Sequence, residues 1–360
     1  MDFIPLYYTK LGQAYVGNSL DLLSHIPDES INVVITSPPF ALCRKKAYGN
    51  VQEAEYVNWI KPFGKEIFRI LKNSGSFILD LGGAYKQGMP IRSLYNFRVL
   101  LCFCDELGFT LAEDFYWYNP SKLPSPIEWV NKRKIRVKDA VNTVWWFSKT
   151  EYPQADITKV LTPYSERMKQ LIKDPENFYK PDKRPSGHTI GTGFGKDNGG
   201  AIPPNLLSIP NTDSSSSYMR LCKALDIERH PARFPIDLPS FFIKMLTSEG
   251  DTVLDIFGGS NTTGYAAEIL NRRWMTFELE HEYLSSSIFR FLENNNEKKA
   301  KDIFNILSNP AANYFLKYSC ADFIPSLFPA DIEESNIDLD KRHNYDLYDK
   351  TKCDKGCHIA

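Results

Sequence analysis

Ile31-Asn32-Val33-Val34-Ile35-Thr36-Ser37-Pro38-Pro39-Phe40 is an apolar, β-branched run that ends in a hydroxyl, two prolines and an aromatic ring. The run Ile31 to Ile35 predicts a buried strand. Pro38 and Pro39 cannot continue a hydrogen-bonded ladder, and each fixes its own φ, so the chain leaves the sheet stiffly at Ser37. The product is a rigid shelf at a strand end. It offers one hydroxyl, carbonyls without neighbouring N–H donors, and a ring at a fixed angle. Ligands of open α/β sheets bind at the carboxyl ends of strands. A flat heterocycle stacked on Phe40, its exocyclic amine held by Ser37 and a proline carbonyl, suits such a shelf. Alone, the tetrapeptide fits an ordinary X-Pro-Pro turn equally well.

Working outward, strand and helix patterns alternate. Gln13 to Val16 reads as a strand ending at Gly17-Asn18-Ser19, with Leu20 to His25 helical and Asn18 or Ser19 as N-cap. Ala41 to Asn50, with Arg44, Lys45 and Lys46, reads as a basic loop leaving the shelf. Glu55 to Leu71 has helical apolar spacing, Ser76 to Gly83 is a strand entering a glycine turn, and Arg92 to Leu107 is a second amphipathic helix. Strands are expected at Leu111 to Trp117 and Val141 to Phe147. From Glu151 to Pro210 the rhythm breaks into Pro- and Gly-rich sequence, and Ser214 to Ser217 reads as a linker. The pattern resumes with a helix at Leu238 to Leu246, a strand at Thr252 to Phe257, a polar turn, a helix from Tyr265, a strand at Trp274 to Phe277 and a long helix from Tyr283 to Ile306. This alternation predicts an α/β fold with a mostly parallel sheet.

Composition narrows the class. Hydrophobic content of 42% and charged content of 24% are ordinary for a soluble globular chain. No apolar run reaches the roughly 18 residues a membrane span needs, and no signal peptide is evident, so a cytoplasmic protein without membrane contact is expected. Seven scattered cysteines imply free thiols. Cys353, Cys357 and His358 lack a second pair at zinc-like spacing, so no metal is expected. The net charge of −1 conceals a basic stretch: Ser121 to Arg184 holds 14 Lys/Arg against 8 Asp/Glu. A polyanion would need such a face.

The second chemical stretch is Asp255-Ile256-Phe257-Gly258-Gly259-Ser260-Asn261-Thr262-Thr263-Gly264. A strand, a glycine turn and a helix start supply amides and a positive dipole end for an anionic group. No Gly-Lys-Ser/Thr follows, and the glycines do not match Gly-x-Gly-x-x-Gly, which argues against a Walker loop and a nicotinamide oxidoreductase. Glu278 closes the next strand, where a carboxylate can accept from both ribose hydroxyls. A nucleoside cofactor with a carboxylate-bearing tail fits these features.

Together, Ser37-Pro38-Pro39-Phe40 and Asp255 to Gly264 resemble motif IV and motif I of the amino-group DNA methyltransferases. Motif IV precedes motif I, which is the β-class order. Phe115 to Pro120 is similar to motif VIII, His230-Pro231-Ala232-Arg233-Phe234-Pro235 leading into Phe241-Phe242 to motif X, and Glu278 to motif II. The resemblance spans about residues 13 to 295 and is close to the PvuII-type cytosine-N4 methyltransferases of restriction-modification systems. It implies a circularly permuted S-adenosylmethionine-dependent methyltransferase fold, Rossmann-like, with a mixed seven-stranded sheet and an inserted target-recognition lobe. The expected divisions are a catalytic half over 1–150, a recognition region over 151–229, a cofactor half over 230–308 and a polar tail over 309–360.

The implied chemistry is methyl transfer from S-adenosylmethionine to the N4 amine of a cytosine flipped out of duplex DNA, with base flipping repaid partly by stacking on Phe40. Ser37, Pro38, Pro39 and Phe40 would form the base site. Asn18, Phe234, Asp255, Phe257, Gly258, Gly259, Ser260, Thr262, Thr263 and Glu278 would hold the cofactor, Asp255 through its ammonium. Asn18 departs from the family, which usually has Asp there to meet the adenine amine. Serine before Pro-Pro points to cytosine N4, with adenine N6 as the alternative. Cytosine C5 chemistry would need a Pro-Cys pair that is missing. Arg44, Lys45, Lys46, Lys122, Lys132, Arg133, Lys134, Arg136, Lys183 and Arg184 are candidate phosphate contacts, and His188 a candidate base contact. A genetically paired restriction endonuclease is implied, and monomer and homodimer both stay open. The competing class is a non-catalytic DNA-binding module of the same fold.

Overall fold

Strand β3, Ile31–Thr36, is buried at every position and lies inside the sheet. Such uniform burial is what a β-branched run with helices on both faces produces. The computed structural model describes residues 4–41, 51–175, 185, 192–292 and 297–309. All of them fall within one compact unit, Met1–Phe315. Arg44, Lys45, Lys46, Lys183, Arg184 and His188, together with Cys353, Cys357, His358 and the polar tail beyond 309, lie outside the described residues.

The strands in chain order are β1 (Tyr7–Tyr8), β2 (Gly12–Val16), β3, β4 (Leu71–Gly82), β5 (Thr110–Tyr118), β6 (Val141–Ser148), β7 (Leu206–Ser208), β8 (Thr252–Asp255) and β9 (Arg273–Glu278). They form one sheet in the order β1-β2-β9-β8-β3-β4-β6-β5-β7. From β2 to β4 every pairing is parallel, whereas β6 runs antiparallel to both β4 and β5. The mixed sheet therefore matches expectation, but it has nine strands where seven were expected. The additions are the edges: β1 pairs antiparallel with β2, and β7 pairs parallel with β5. Two- and three-residue strands carry no readable periodicity. The permutation is visible in the order, because β8 from late in the chain inserts between β9 and β3.

Helix α2, Tyr56–Ile70, buries Tyr56, Ile60, Phe63, Ile67 and Ile70 against the sheet. Each such side chain contributes about 1.5–3 kcal/mol relative to exposure. Beneath β4 and β6, Phe77, Phe103, Phe109 and Phe147 pack with ring centroids 5.5–6.0 Å apart. Helices α3 (Tyr95–Leu101), α4 (Glu166–Lys173) and α5 (Ser217–Ala224) precede α6 (Asp237–Leu246), to which β5 is joined where Phe115 meets Phe242 edge-on at 5.1 Å.

Three local expectations change. The helix expected to run to Leu107 is α3 followed by a π-helical turn, Cys102–Glu106. Ser214 to Ser217 is no linker: Ser216 caps α5, accepting from the Met219 amide at 3.4 Å and donating to Asp213 at 2.7 Å. The long C-terminal helix is divided into α8 (His281–Ser287), a 3₁₀ turn (Ile288–Phe291) and α9 (Glu297–Leu307), with α7 (Thr262–Ile269) preceding them. Residues 151–229, the span expected to form a recognition lobe, are not wholly separate, since β7 and the Trp117 indole, donating to Ile209 O at 2.9 Å, tie them to the sheet.

Candidate active site

The carboxyl ends of β2, β3, β4, β8 and β9 open onto one cleft of about 860 Å³, within the range of about 300–1,000 Å³ usual for ligand sites. Its walls divide by strand. On one side lie Ser37, Pro38, Pro39 and Phe40 with Asp80, Trp117, Lys122 and Asn142. On the other lie Asn18, Phe234, Phe257, Gly258, Gly259, Ser260, Thr262 and Glu278. The two expected half-sites thus meet, although more than 200 residues separate them in the chain.

The shelf is braced from below. The Tyr56 hydroxyl donates to Pro39 O at 2.8 Å, and Pro38 O has no hydrogen-bond partner among the described residues. A Cβ built on Gly82 would stand 2.5 Å from Phe40 Cε2 and 2.9 Å from Asn142 Oδ1. Glycine is therefore required for Phe40 to lie against the end of β4.

Asp80 is the group that sequence reasoning passed over. Ser37 Oγ donates to its Oδ2 at 3.1 Å, and Asn142 Nδ2 donates to its Oδ1 at 3.1 Å. Burial pushes the carboxyl from 3.8 up to about 6, while the bonds from Asn142 and Ser37 and the Lys122 charge restrain the rise. Because Ser37 spends its proton on Asp80, its lone pairs face the cleft as acceptors. The available signal was a charged residue interrupting Phe77-Ile78-Leu79 and Leu81 in a strand otherwise buried around it.

The cofactor side is built on a turn whose amides are mostly committed. Gly258 N donates to Phe277 O at 2.9 Å, Asn261 N to Gly258 O at 2.7 Å, and Gly259 N to Glu278 Oε2 at 2.7 Å. Gly259 (φ 51°) and Asn261 (φ 54°) both take the left-handed conformation that glycine and asparagine tolerate best. The Ser260 and Thr262 amides are not used within the turn. Behind Ser260 lies Arg290, 8% exposed, donating to Ser260 O at 2.5 Å and Ser260 Oγ at 2.8 Å. Burial lowers its pKa, and this cation raises the potential at the turn. Arg290 was not anticipated either.

Glu278 accepts from the Gly259 and Glu280 amides, at 2.7 and 2.9 Å, and retains lone pairs toward the cleft. Burial raises its pKa, partly countered by those amides. Phe257, with Trp59 and Phe63 at ring-centroid distances of 5.8 and 5.1 Å, forms an aromatic wall. A nucleoside with an anionic tail fits this lining: carboxylate for hydroxyls, aromatic surface for a ring, and a cation behind free amides for the tail.

Two expected cofactor contacts stand elsewhere. Asp255 is 1% exposed and is not on the cleft wall; its Oδ1 takes Thr36 Oγ1 (2.6 Å) and Phe257 N (3.1 Å), and its Oδ2 takes Thr263 Oγ1 (2.6 Å). Asp255 and Thr263 are thus a strut under the turn, with no oxygen turned toward a ligand ammonium. Asn18 does reach the cleft, but its Oδ1 already caps helix α1 (Ser19–Leu23), accepting from Leu20 N at 3.0 Å. The expected phosphate contacts also differ among themselves. Lys132 and Arg133 pair with Glu128 at 3.3 and 3.0 Å, Arg136 donates to the Pro90 and Ile135 carbonyls, and Lys134 is exposed on the same connection. Lys122 instead faces the cleft.

A sheet ordered in this way, with a Ser-Pro-Pro-Phe shelf beside a nucleoside-type turn, defines an α/β group-transfer enzyme acting on a flat base. The chain belongs to the DNA methylase family, whose model matches residues 31–289. The type II methyltransferase M.PvuII of Proteus hauseri is 63% identical over 306 residues, covering 85% of this chain and 91% of its own length. The type II methyltransferase M.BglI of Bacillus subtilis is 41% identical over 308 residues, covering 78% and 85% respectively. The solved structure of the PvuII DNA methyltransferase (cytosine-N4-specific) matches with a TM-score of 0.70 at 54% identity, over 85% of this chain and 95% of that chain.

Proposed function

We propose that this protein transfers a methyl group from S-adenosylmethionine to the N4 amine of a flipped cytosine in a specific duplex DNA sequence. The observation that carries the reading is the chain of hydrogen bonds from Ser37 to Asp80 and from Asn142 to Asp80 at the cleft floor. The cofactor, when bound, supplies an electrophilic methyl on a sulfonium and departs as a thioether.

The chain's own groups handle the base. The cytosine amine is a poor nucleophile because its lone pair is delocalised into the ring. Ser37 Oγ and Pro38 O can each accept one N4 proton, which favours a more tetrahedral nitrogen with its lone pair directed across the cleft. As the N–C bond forms, N4 carries one proton too many. Ser37 takes that proton and passes its own to Asp80 Oδ2, so the proton ends on a carboxylate that it neutralises, one whose pKa near 6 suits it to accept at neutral pH. Phe40 supplies a stacking face, held by Gly82. On the exposed basic connection between β5 and β6, Lys134 is suited to a phosphate, its neighbours Lys132, Arg133 and Arg136 being held by Glu128 and by carbonyls.

Pairing with a restriction endonuclease follows from the resemblance and is part of the same proposal. The test is incubation of the protein with duplex DNA and methyl-labelled S-adenosylmethionine, followed by digestion to nucleosides. N4-methylcytosine as the labelled product is expected. N6-methyladenine alone would overturn the base assignment, and no labelled nucleoside would overturn the enzymatic reading.

A further inference from the structure

The base half of the cleft contains a cation whose part in the transfer step above is limited to the action of its charge on Asp80. Lys122 leaves the end of β5 through Asn119-Pro120-Ser121 and lines the same wall as Ser37, Asp80 and Asn142. Its main chain is fixed from two directions: Lys122 N donates to Asn119 O at 3.2 Å, and Lys138 Nζ donates to Lys122 O at 3.3 Å. The Lys122 ammonium itself has no hydrogen-bond or ion-pair partner among the described residues. Other cations nearby are engaged, Lys132 and Arg133 by Glu128, Arg136 and Lys138 by carbonyls, and Arg233 by His230 O. The charge of Lys122 acts on Asp80, lowering a carboxyl that burial raises. An ammonium in the wall of a cleft, with no hydrogen bond or ion pair of its own among the described residues, is suited to an acceptor carried by the ligand.

Cytosine presents such an acceptor. With N4 on Ser37 and Pro38, its pairing edge continues to N3 and then to O2. The other donors on this wall are neutral: Asn142 Nδ2 gives one N–H to Asp80, the Trp117 indole is committed to Ile209 O, and Asn119 is held through its Oδ1 by the Ser121 and Asn211 amides, which leaves Lys122, among the described residues, as the cation free to meet an acceptor. Adenine seated by N6 on the same shelf would present N1 where cytosine has N3, but a C–H where cytosine has O2. A cation forced against that C–H loses water and gains no bond, which is how a polar site rejects a near-isostere.

We propose that Lys122 reads O2 of the flipped cytosine and is a specificity-determining residue that separates cytosine from adenine, instead of a phosphate contact. The proposal rests on the cytosine-N4 reading, and product analysis with unmodified duplex tests that reading separately. The experiment compares the full-length protein and its Lys122→Met variant on duplexes carrying cytosine, 2-thiocytosine or adenine at the target position. Sulfur at position 2 keeps N3 and N4 but is a much weaker acceptor. The native protein should lose about tenfold in kcat/KM on 2-thiocytosine, and the variant less than twofold. The variant's preference for cytosine over adenine should shrink about ten- to a hundredfold, the scale of one good base contact. Cofactor binding by equilibrium dialysis should be unchanged.

Salt dependence separates the alternative. A phosphate contact would flatten the slope of log K against log salt by about 0.9 in the variant, whereas a base reader leaves that slope unchanged. Equal rates of the native protein on cytosine and 2-thiocytosine would overturn the assignment without any variant. So would a flattened slope with undiminished base preference. If Lys122→Met does not fold, Lys122→Gln replaces it in the same comparison.

Discussion

Asp80→Asn separates stability from chemistry, because the two effects have opposite signs. Burial moves the native carboxyl from 3.8 to about 6. At about 1.4 kcal/mol per pH unit, holding it ionised above that value costs the folded state about 3 kcal/mol. The unfolded chain ionises near 3.8, so the cost is absent below that pH, grows between 3.8 and about 6, and is complete above. The amide has no such cost. Urea unfolding should therefore show the variant gaining about 3 kcal/mol on the native protein between pH 4 and pH 8. Geometry is nearly kept, since the amide oxygen can still accept from Asn142. The amide nitrogen, however, must donate to Ser37, which reverses that bond and leaves the shelf without a proton acceptor. At pH 8 kcat should fall by about a hundredfold or more, the scale of general-base assistance, with cofactor affinity unchanged. The native kcat should rise with pH through a midpoint near 6, and the variant should lack that limb. A variant whose relative stability does not change with pH, or one within threefold of native kcat, would refute the reasoning.

Ser37→Ala removes both an acceptor for N4 and a donor to Asp80; kcat should fall about a hundredfold, and the acid limb of the residual activity should move above 6, read from single-turnover rates against pH. Gly82→Ala places a methyl group 2.5 Å from Phe40 Cε2, so the stacking ring must move; single-turnover methyl transfer should slow about tenfold while isothermal titration finds native cofactor affinity. Glu278→Gln keeps one carboxyl-type oxygen for two amides, Gly259 and Glu280; cofactor Kd should rise about tenfold, the scale of a lost charge-assisted bond, and kcat at saturating cofactor should stay within threefold.

What the sequence disclosed was local. Ile31 to Phe40 and Asp255 to Gly264 each encode a strand, a stop and a turn within about ten residues, so their forms could be read before any contact was known. The pairing of these segments across the cleft came from motif order and not from periodicity. The edges β1 and β7 are too short to carry a pattern, and the break after Ser287 has no glycine or proline to announce it. Charge counting failed in a different way. Lys132 and Arg133 add to a basic total, yet both sit on Glu128, while Lys122, from the same stretch, turns inward. Which partner a lysine finds is decided by tertiary distance, to which composition is blind.

Asp255 and Asp80 make the limit concrete. Asp255 ends its apolar strand and Asp80 lies two residues from the end of its own, both precede glycines, and both strands flank β3. Sequence patterning favoured Asp255 and ignored Asp80. The structure divides them through consecutive residues of β3's exit: Thr36 donates to Asp255 on one side and Ser37 to Asp80 on the other. Asp255 receives three donors and is sealed from the cleft, so its carboxylate is held as a strut beneath the cofactor turn. Asp80 receives two and borders the cleft, so it remains able to take a proton. Donor count and access, not residue type or position in a motif, decide which buried carboxylate can do chemistry. A strand exit that sends adjacent hydroxyls to opposite neighbours is how one shelf both anchors the cofactor turn and equips the base site.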